Sequence, residues 1–149
     1  MNYLSSLSLP FVLFFSRDLT TAAVRGVANE FEDVALIGGG SGITPLYQLL
    51  KHALNEPTNR TRFTLLYANV SEADILLRDE LAALERAHPD KFKVVHTLDK
   101  PPAAGWNGAS GYVSRELVKA HVPPAQKGDK IKVFICGTSP FPRGIPGPD

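Results

Sequence analysis

Glycines at 38, 39, 40 and 42, with Ser41 among them and Thr44-Pro45 just after, stand between the apolar run Val34-Ala-Leu-Ile37 and an amphipathic stretch. That order of residue types suits anion binding. Glycine has no Cβ, so the backbone can turn sharply and approach a ligand closely. Thr44 is placed to cap a helix whose first turn accepts Pro45. The unpaired N–H groups and positive dipole end of such a helix would face a phosphate or pyrophosphate. Two familiar phosphate loops are excluded, because Ile43 occupies the third-glycine position of GxGxxG and no Gly-Lys-Ser/Thr follows. The bland alternative is a tight turn with no ligand.

Elsewhere chemistry-bearing residues are sparse. Cys136 is the only cysteine, so neither an internal disulfide nor a cysteine metal site can form. His52, His88, His96 and His121 lack a ligand spacing, and no metal is expected. Asp99 reads as a strand-end turn residue. Asn69 and Ser71 could reach a ligand or cap a helix, and the cap is preferred. Sixteen Lys plus Arg against fifteen Asp plus Glu leave a net charge of +1, without the basic cluster of a nucleic-acid groove.

The elements that must position these residues alternate in type. With 149 residues and 44% hydrophobic content, the chain can bury one modest core. Residues 34–37 read as a strand buried on both faces. A helix follows, with Leu46, Leu49, Leu50, Ala53 and Leu54 on one stripe, ended by Asn55, Pro57 and Asn59. Residues 62–68 form a second strand. Ser71 and Asp74 have the spacing of a capping box, and the helix it opens should turn Ile75, Leu77, Leu81 and Leu84 inward until His88-Pro89. A third strand covers 93–98. Ser114 caps a helix bearing Leu117, Val118 and His121, closed by Pro123-Pro124, and 131–136 is a fourth strand. This alternation predicts an α/β fold, a doubly wound parallel sheet with helices on both faces. Ligands bind such sheets beyond the carboxyl ends of the strands. Residues 38–45, 68–71, 99–112 and 137–140 lie there.

The loop Gly-Gly-Gly-Ser-Gly-Ile-Thr-Pro resembles the nicotinamide-nucleotide loop of ferredoxin-reductase-like flavoenzymes, and Leu46-Tyr47-Gln48 narrows the likeness to NADH-cytochrome b5 reductases. Four further blocks occur in that family's order: Leu66-Tyr-Ala-Asn-Val-Ser-Glu-Ala-Asp-Ile-Leu-Leu-Arg78, Thr97-Leu-Asp99, Gly111-Tyr-Val113 and Cys136-Gly137. The likeness covers about residues 34 to 137, and the variants at 47–48 and 68–70, with the surroundings of Asp99 and Trp106, look most like the fungal mitochondrial form. It implies that Gly38, Gly39, Gly40, Ser41, Gly42, Thr44 and Pro45 bind NADH through its pyrophosphate and nicotinamide side. Asp99 would accept from the adenosine ribose hydroxyls, and its carboxylate would repel the extra phosphate of NADPH. Tyr112 would pack near the adenine, although an aromatic before a helix equally suits a hydrophobic staple. Cys136, Gly137 and Thr44 would stand at the nicotinamide and orient it for hydride transfer. Against this, an isolated strand-end Cys more often acts as a small buried hydrophobe.

Reductases of this family pass hydride from NADH to FAD and single electrons to cytochrome b5, with the flavin supplying the hard chemistry. No Arg-x-Tyr flavin motif occurs here, and Thr138-Ser139 replaces the expected Pro-Pro after Cys136-Gly137. The sequence is therefore expected to be the nucleotide domain, cut at both ends, binding NADH without FAD. The alternatives are a non-catalytic NAD-binding module and a fragment of a sibling flavoenzyme such as nitrate reductase. The organisation expected is an apolar segment and linker over 1–33, the NAD-binding domain over 34–137 and a tail over 138–149. Four prolines in the last ten residues forbid a helix there, leaving the sheet poorly covered after Cys136. Residues 4–15 are apolar but too few to span a bilayer, which takes about 20. Weak membrane association, packing on the domain and sequence foreign to the parent protein remain open for them. The resemblance implies the mitochondrial outer membrane, or the endoplasmic reticulum membrane as the alternative.

Overall fold

A computed structural model describes residues 31–122 and 130–137. The expected readings of 1–30, of Pro123-Pro124 and of the tail lie outside the described residues. The elements run β1 (Asp33–Gly39), α1 (Ile43–Asn55), β2 (Arg62–Asn69), α2 (Arg78–Ala87), β3 (Phe92–Leu98), β4 (Ala109–Ser110), α3 (Arg115–His121) and β5 (Ile131–Cys136). The strands form one sheet in the order β4-β3-β2-β1-β5, and every pairing is parallel. This is the doubly wound α/β sheet that the alternation predicts. All seven residues of β1 are buried, as befits a central strand covered on both faces.

Strand alternation divides the core in two. Val34, Leu36, Phe63, Leu65, Tyr67, Phe92, Leu98 and Cys136 point to one face, where Leu46, Leu50, Ala53 and Leu54 of α1 and Leu81 of α2 pack on them. Ile37 and Leu66 point to the other and meet Val113, with Val118 of α3 packed against the group. Leu49 and Leu84 are only partly buried at the rim of the first cluster.

Two helix starts differ from expectation. Gly40–Gly42 form a 3-10 turn that runs directly into α1, so Gly42 is the cap and Thr44 lies inside the first turn without capping it. Side chains that would disfavour so tight an entry are missing from this glycine-rich stretch. The Ser71–Asp74 capping box forms, with Ser71 N–H donating to Asp74 Oδ2 at 2.9 Å. It closes only the 3-10 turn Glu72–Asp74, and α2 begins later, behind Leu77 at φ 55°. Leu77 adopts this left-handed conformation, which costs roughly 1–2 kcal/mol, with its side chain partly buried against the core. Ser114 caps α3 as expected, accepting Leu117 N–H at 3.1 Å.

The two ends of the sheet are built differently. At the amino end polar groups are paired: Arg62 donates to both carboxylate oxygens of Asp33 at 3.0 and 3.1 Å. There too, Thr61 Oγ1 donates to the Phe31 carbonyl at 2.7 Å. Among the described residues, the buried side-chain atoms without a well-formed hydrogen bond are Asn69 Nδ2 and Oδ1 and His96 Nδ1, all on residues toward the carboxyl half. Buried polar atoms of this kind call for an explanation.

Candidate functional site

The chain crosses from one side of β1 to the other between β4 and β5, so the sheet's switch point lies between β1 and β5. Sheets of this topology bind their ligands in a crevice at that point, beyond the carboxyl ends of the strands. Cys136 stands opposite Gly38 in the register. A Cβ on Gly42 would fall 2.3 Å from the Cys136 carbonyl oxygen, and one on Gly137 would fall 3.1 Å from Gly39 N. The loop after β1 and the end of β5 are thus packed backbone on backbone, a contact that demands glycine at 42 and leaves only tight room for a side chain at 137. Gly38, whose added Cβ would meet Leu46 Cδ1 at 3.0 Å, is likewise a packing glycine. Gly39 is buried inside β1.

Gly40 is different. Its φ is +53°, and nothing lies within 4 Å of an added Cβ. Ser41 and Thr44 beside it are exposed, and Pro45 is half-buried. The Gly40 carbonyl receives the Ile43 N–H and the Tyr67 hydroxyl, the latter at 3.1 Å. Because a trans peptide is planar with its C=O and N–H opposed, a carbonyl turned inward to Tyr67 turns the Ser41 N–H outward. The loop therefore presents donors, not acceptors, at the positive end of α1. Those residues can hold an anion.

Tyr67 had no visible role in the sequence. It is fully buried, and its oxygen also accepts the Leu76 N–H at 3.3 Å, linking the glycine loop to the segment before α2. Burial pushes the hydroxyl above its ordinary pKa against the opposing pull of Asn69 and the Leu76 N–H, so it keeps the proton it gives to Gly40. Replacing Tyr67 with Phe should lower stability by about 1–2 kcal/mol, the cost of leaving the Leu76 N–H unpaired. Denaturant unfolding measures this, and a variant as stable as the parent would mean that the bridge contributes nothing.

The remaining predicted residues surround the crevice at varying distance. Asp99 follows β3 directly, half-buried, its N–H bonded to the Asn69 carbonyl at 3.1 Å. Tyr112 is 72% exposed and is not a staple. Val113 takes that position instead: it precedes the Ser114 cap and is 3% exposed in the cluster that Val118 packs against. This leaves the Tyr112 ring free at the carboxyl end. Cys136 is 5% exposed, and burial pushes its thiol above the usual range, which favours the protonated form. Ser71 is committed to its capping box, whereas Asn69 caps nothing. Among the described residues, no group of three or more His, Cys, Asp or Glu could hold a metal.

Sequence reasoning also missed β4, because two residues show no periodicity. Beside it a cavity of about 600 Å³ is lined by Arg78, His96, Trp106 and His121 among others. His96 is held below its ordinary pKa, by burial first and then by Arg78, with Glu85 opposing.

The sequence profile of the oxidoreductase NAD-binding domain matches residues 36–145, nearly the whole of this sheet and its glycine loop. The chain belongs to that family. It is 47% identical over 120 residues to NADH-cytochrome b5 reductase 2 of Aspergillus terreus, covering 80% of this chain and 37% of that protein. The same-named protein of Mycosarcoma maydis is 45% identical over 120 residues, 34% of its length. The chain thus spans a little over a third of the curated relatives it matches. Among solved structures it resembles the cytochrome b5 reductase domain of Ulva prolifera nitrate reductase, with a TM-score of 0.69 and 38% identity over 74% of this chain and 40% of that one. It also resembles the CS-b5R domains of human Ncb5or in the NAD+ form, with a TM-score of 0.67 and 32% identity over 78% of this chain and 32% of that one.

Proposed function

We propose that this chain is the NADH-binding part of an NADH-cytochrome b5 reductase, the enzyme that passes hydride from NADH to FAD and electrons on to cytochrome b5. The observation that carries this reading is the placement of outward-facing loop N–H groups and the Asp99 carboxylate, which makes no ion pair among the described residues, at the same end of one parallel sheet. Ser41, Thr44 and the loop N–H groups would hold the pyrophosphate, Asp99 the adenosine ribose and Tyr112 the adenine. Cys136 and Gly137 border the crevice on the β5 side, where a neutral thiol would shape the nicotinamide position without reacting. FAD supplies the electron-accepting chemistry in such enzymes.

The fungal mitochondrial resemblance supports placement at the mitochondrial outer membrane. No helix among the described residues is long and apolar enough to cross a membrane, so attachment would fall to other residues. Calorimetric titration of the purified chain with NADH tests the nucleotide reading. Saturable binding is expected, and its absence at millimolar NADH would overturn the proposal.

A further inference from the structure

Asn69 is the unexplained residue of this fold. It ends β2 opposite Leu98, and only 8% of its surface is exposed. Among the described residues neither its amide nitrogen nor its amide oxygen makes a hydrogen bond of good geometry, although the amide lies near enough to the Tyr67 hydroxyl to pull on its proton. An apolar residue of the same size would serve the fold better, since a buried polar group without a partner destabilises it. Its position suggests why a polar group is present.

The phosphate-binding loop follows β1, whereas Asp99 follows β3, and β2 lies between them. A ligand touching both must pass over the end of β2. Asn69 is the last residue of that strand and lies on the same sheet face as Tyr67, whose hydroxyl reaches Gly40. Its own carbonyl holds the Asp99 N–H. The residue is thus flanked by the loop on one side and by the ribose carboxylate on the other. With only that imperfect contact to the Tyr67 hydroxyl to give up, its side chain can turn toward the crevice at little cost.

We infer that Asn69 binds the ribose–phosphate segment of the dinucleotide, its amide turning up to pair with the ligand where that segment crosses from the glycine loop to Asp99. This rests on the NADH reading above. The amide would donate through Nδ2 to a phosphate or ribose oxygen and accept a ribose hydroxyl through Oδ1. The unpaired amide of the free protein is then a stability cost that binding relieves.

Replacing Asn69 with Leu separates the two roles. The N69L chain should melt several degrees higher than the parent and bind NADH about tenfold more weakly, as expected for losing one or two hydrogen bonds. N69D, with a carboxylate facing phosphate, should bind more weakly still. N69L binding NADH as tightly as the parent overturns the inference. If N69L does not fold, the parent chain itself decides the matter by NMR. On NADH addition the Asn69 side-chain NH2 resonances should move with the same midpoint as the Gly40, Ser41 and Gly42 amides. Loop amides that move while the Asn69 NH2 stays still also overturn it. If neither moves, NADH does not bind, and the proposed function falls along with this inference.

Discussion

Gly42→Ala should unfold the domain or lower its melting temperature by more than 10 °C, although the substitution adds one methyl group. The new Cβ would stand 2.3 Å from the Cys136 carbonyl oxygen, 2.6 Å from its carbon and 2.8 Å from Gly137 Cα. All three are backbone atoms, so no side chain can swing aside. Relief requires pulling β5 away from the loop, which breaks the parallel pairing of Gly38 with Cys136. Overpacking typically costs 1–3 kcal/mol and occasionally more, and a backbone-on-backbone clash belongs at or above about 3 kcal/mol. At roughly 4–8 °C per kcal/mol for a domain of about 100 residues, that exceeds 10 °C. Gly40→Ala is the contrasting control. Its Cβ would meet nothing, leaving only the left-handed φ of +53° to penalise it, about 1–2 kcal/mol. Thermal unfolding of both variants checks this. Equal losses at 40 and 42 would mean that the packing of the loop on β5 is not what requires Gly42.

That contrast shows where the sequence was legible. Four glycines after a strand announced a close backbone approach, but not to what. Gly42 and Gly137 turn out to accommodate each other's strands, and Gly40 alone keeps its freedom toward solvent. A pattern in one segment cannot say which distant backbone will lie against it. Strands β1, β2, β3 and β5 were readable because buried apolar runs bounded by turn residues have few other uses. Thr44 misled because a threonine before proline suits a cap by local chemistry, whereas the 3-10 turn had already started the helix at Gly40. The Ser71–Asp74 box forms as its spacing predicts but does not start α2, because the left-handed Leu77 separates the two and nothing in the local sequence announces a leucine in that conformation. Tyr67 and Asn69 stayed hidden for another reason. In the sequence they are ordinary members of a strand, and their importance comes from what lies beside them on neighbouring strands.

Asp99→Asn should reduce the preference for NADH over NADPH about tenfold or more, with the change arising on both sides of the ratio. The carboxylate follows β3 with its N–H fixed to Asn69, so its backbone is held in place, and it makes no ion pair within the described residues. Facing ribose, it accepts from hydroxyls as a charged group, a bond worth about 1.5–3 kcal/mol, and Asn weakens that bond to NADH. Facing the 2′-phosphate of NADPH, it is repelled by a charge near −2. Two unit charges 4 Å apart repel by about 1 kcal/mol in water and about 4 kcal/mol at a protein surface, so even the smaller figure, counted twice, corresponds to more than tenfold. Lys100 is exposed next to Asp99 and would attract the phosphate, yet its solvated ammonium on a flexible stem offsets only part of this repulsion. Binding of both nucleotides to parent and variant, measured at low and at high salt, isolates the electrostatic part. Salt should erode the parent's preference, because screening weakens the repulsion, and should move the variant's ratio less and in the opposite sense, because there it screens only the attraction of Lys100. A ratio that is unchanged by the substitution would make Asp99 a turn residue at the end of β3 and nothing more.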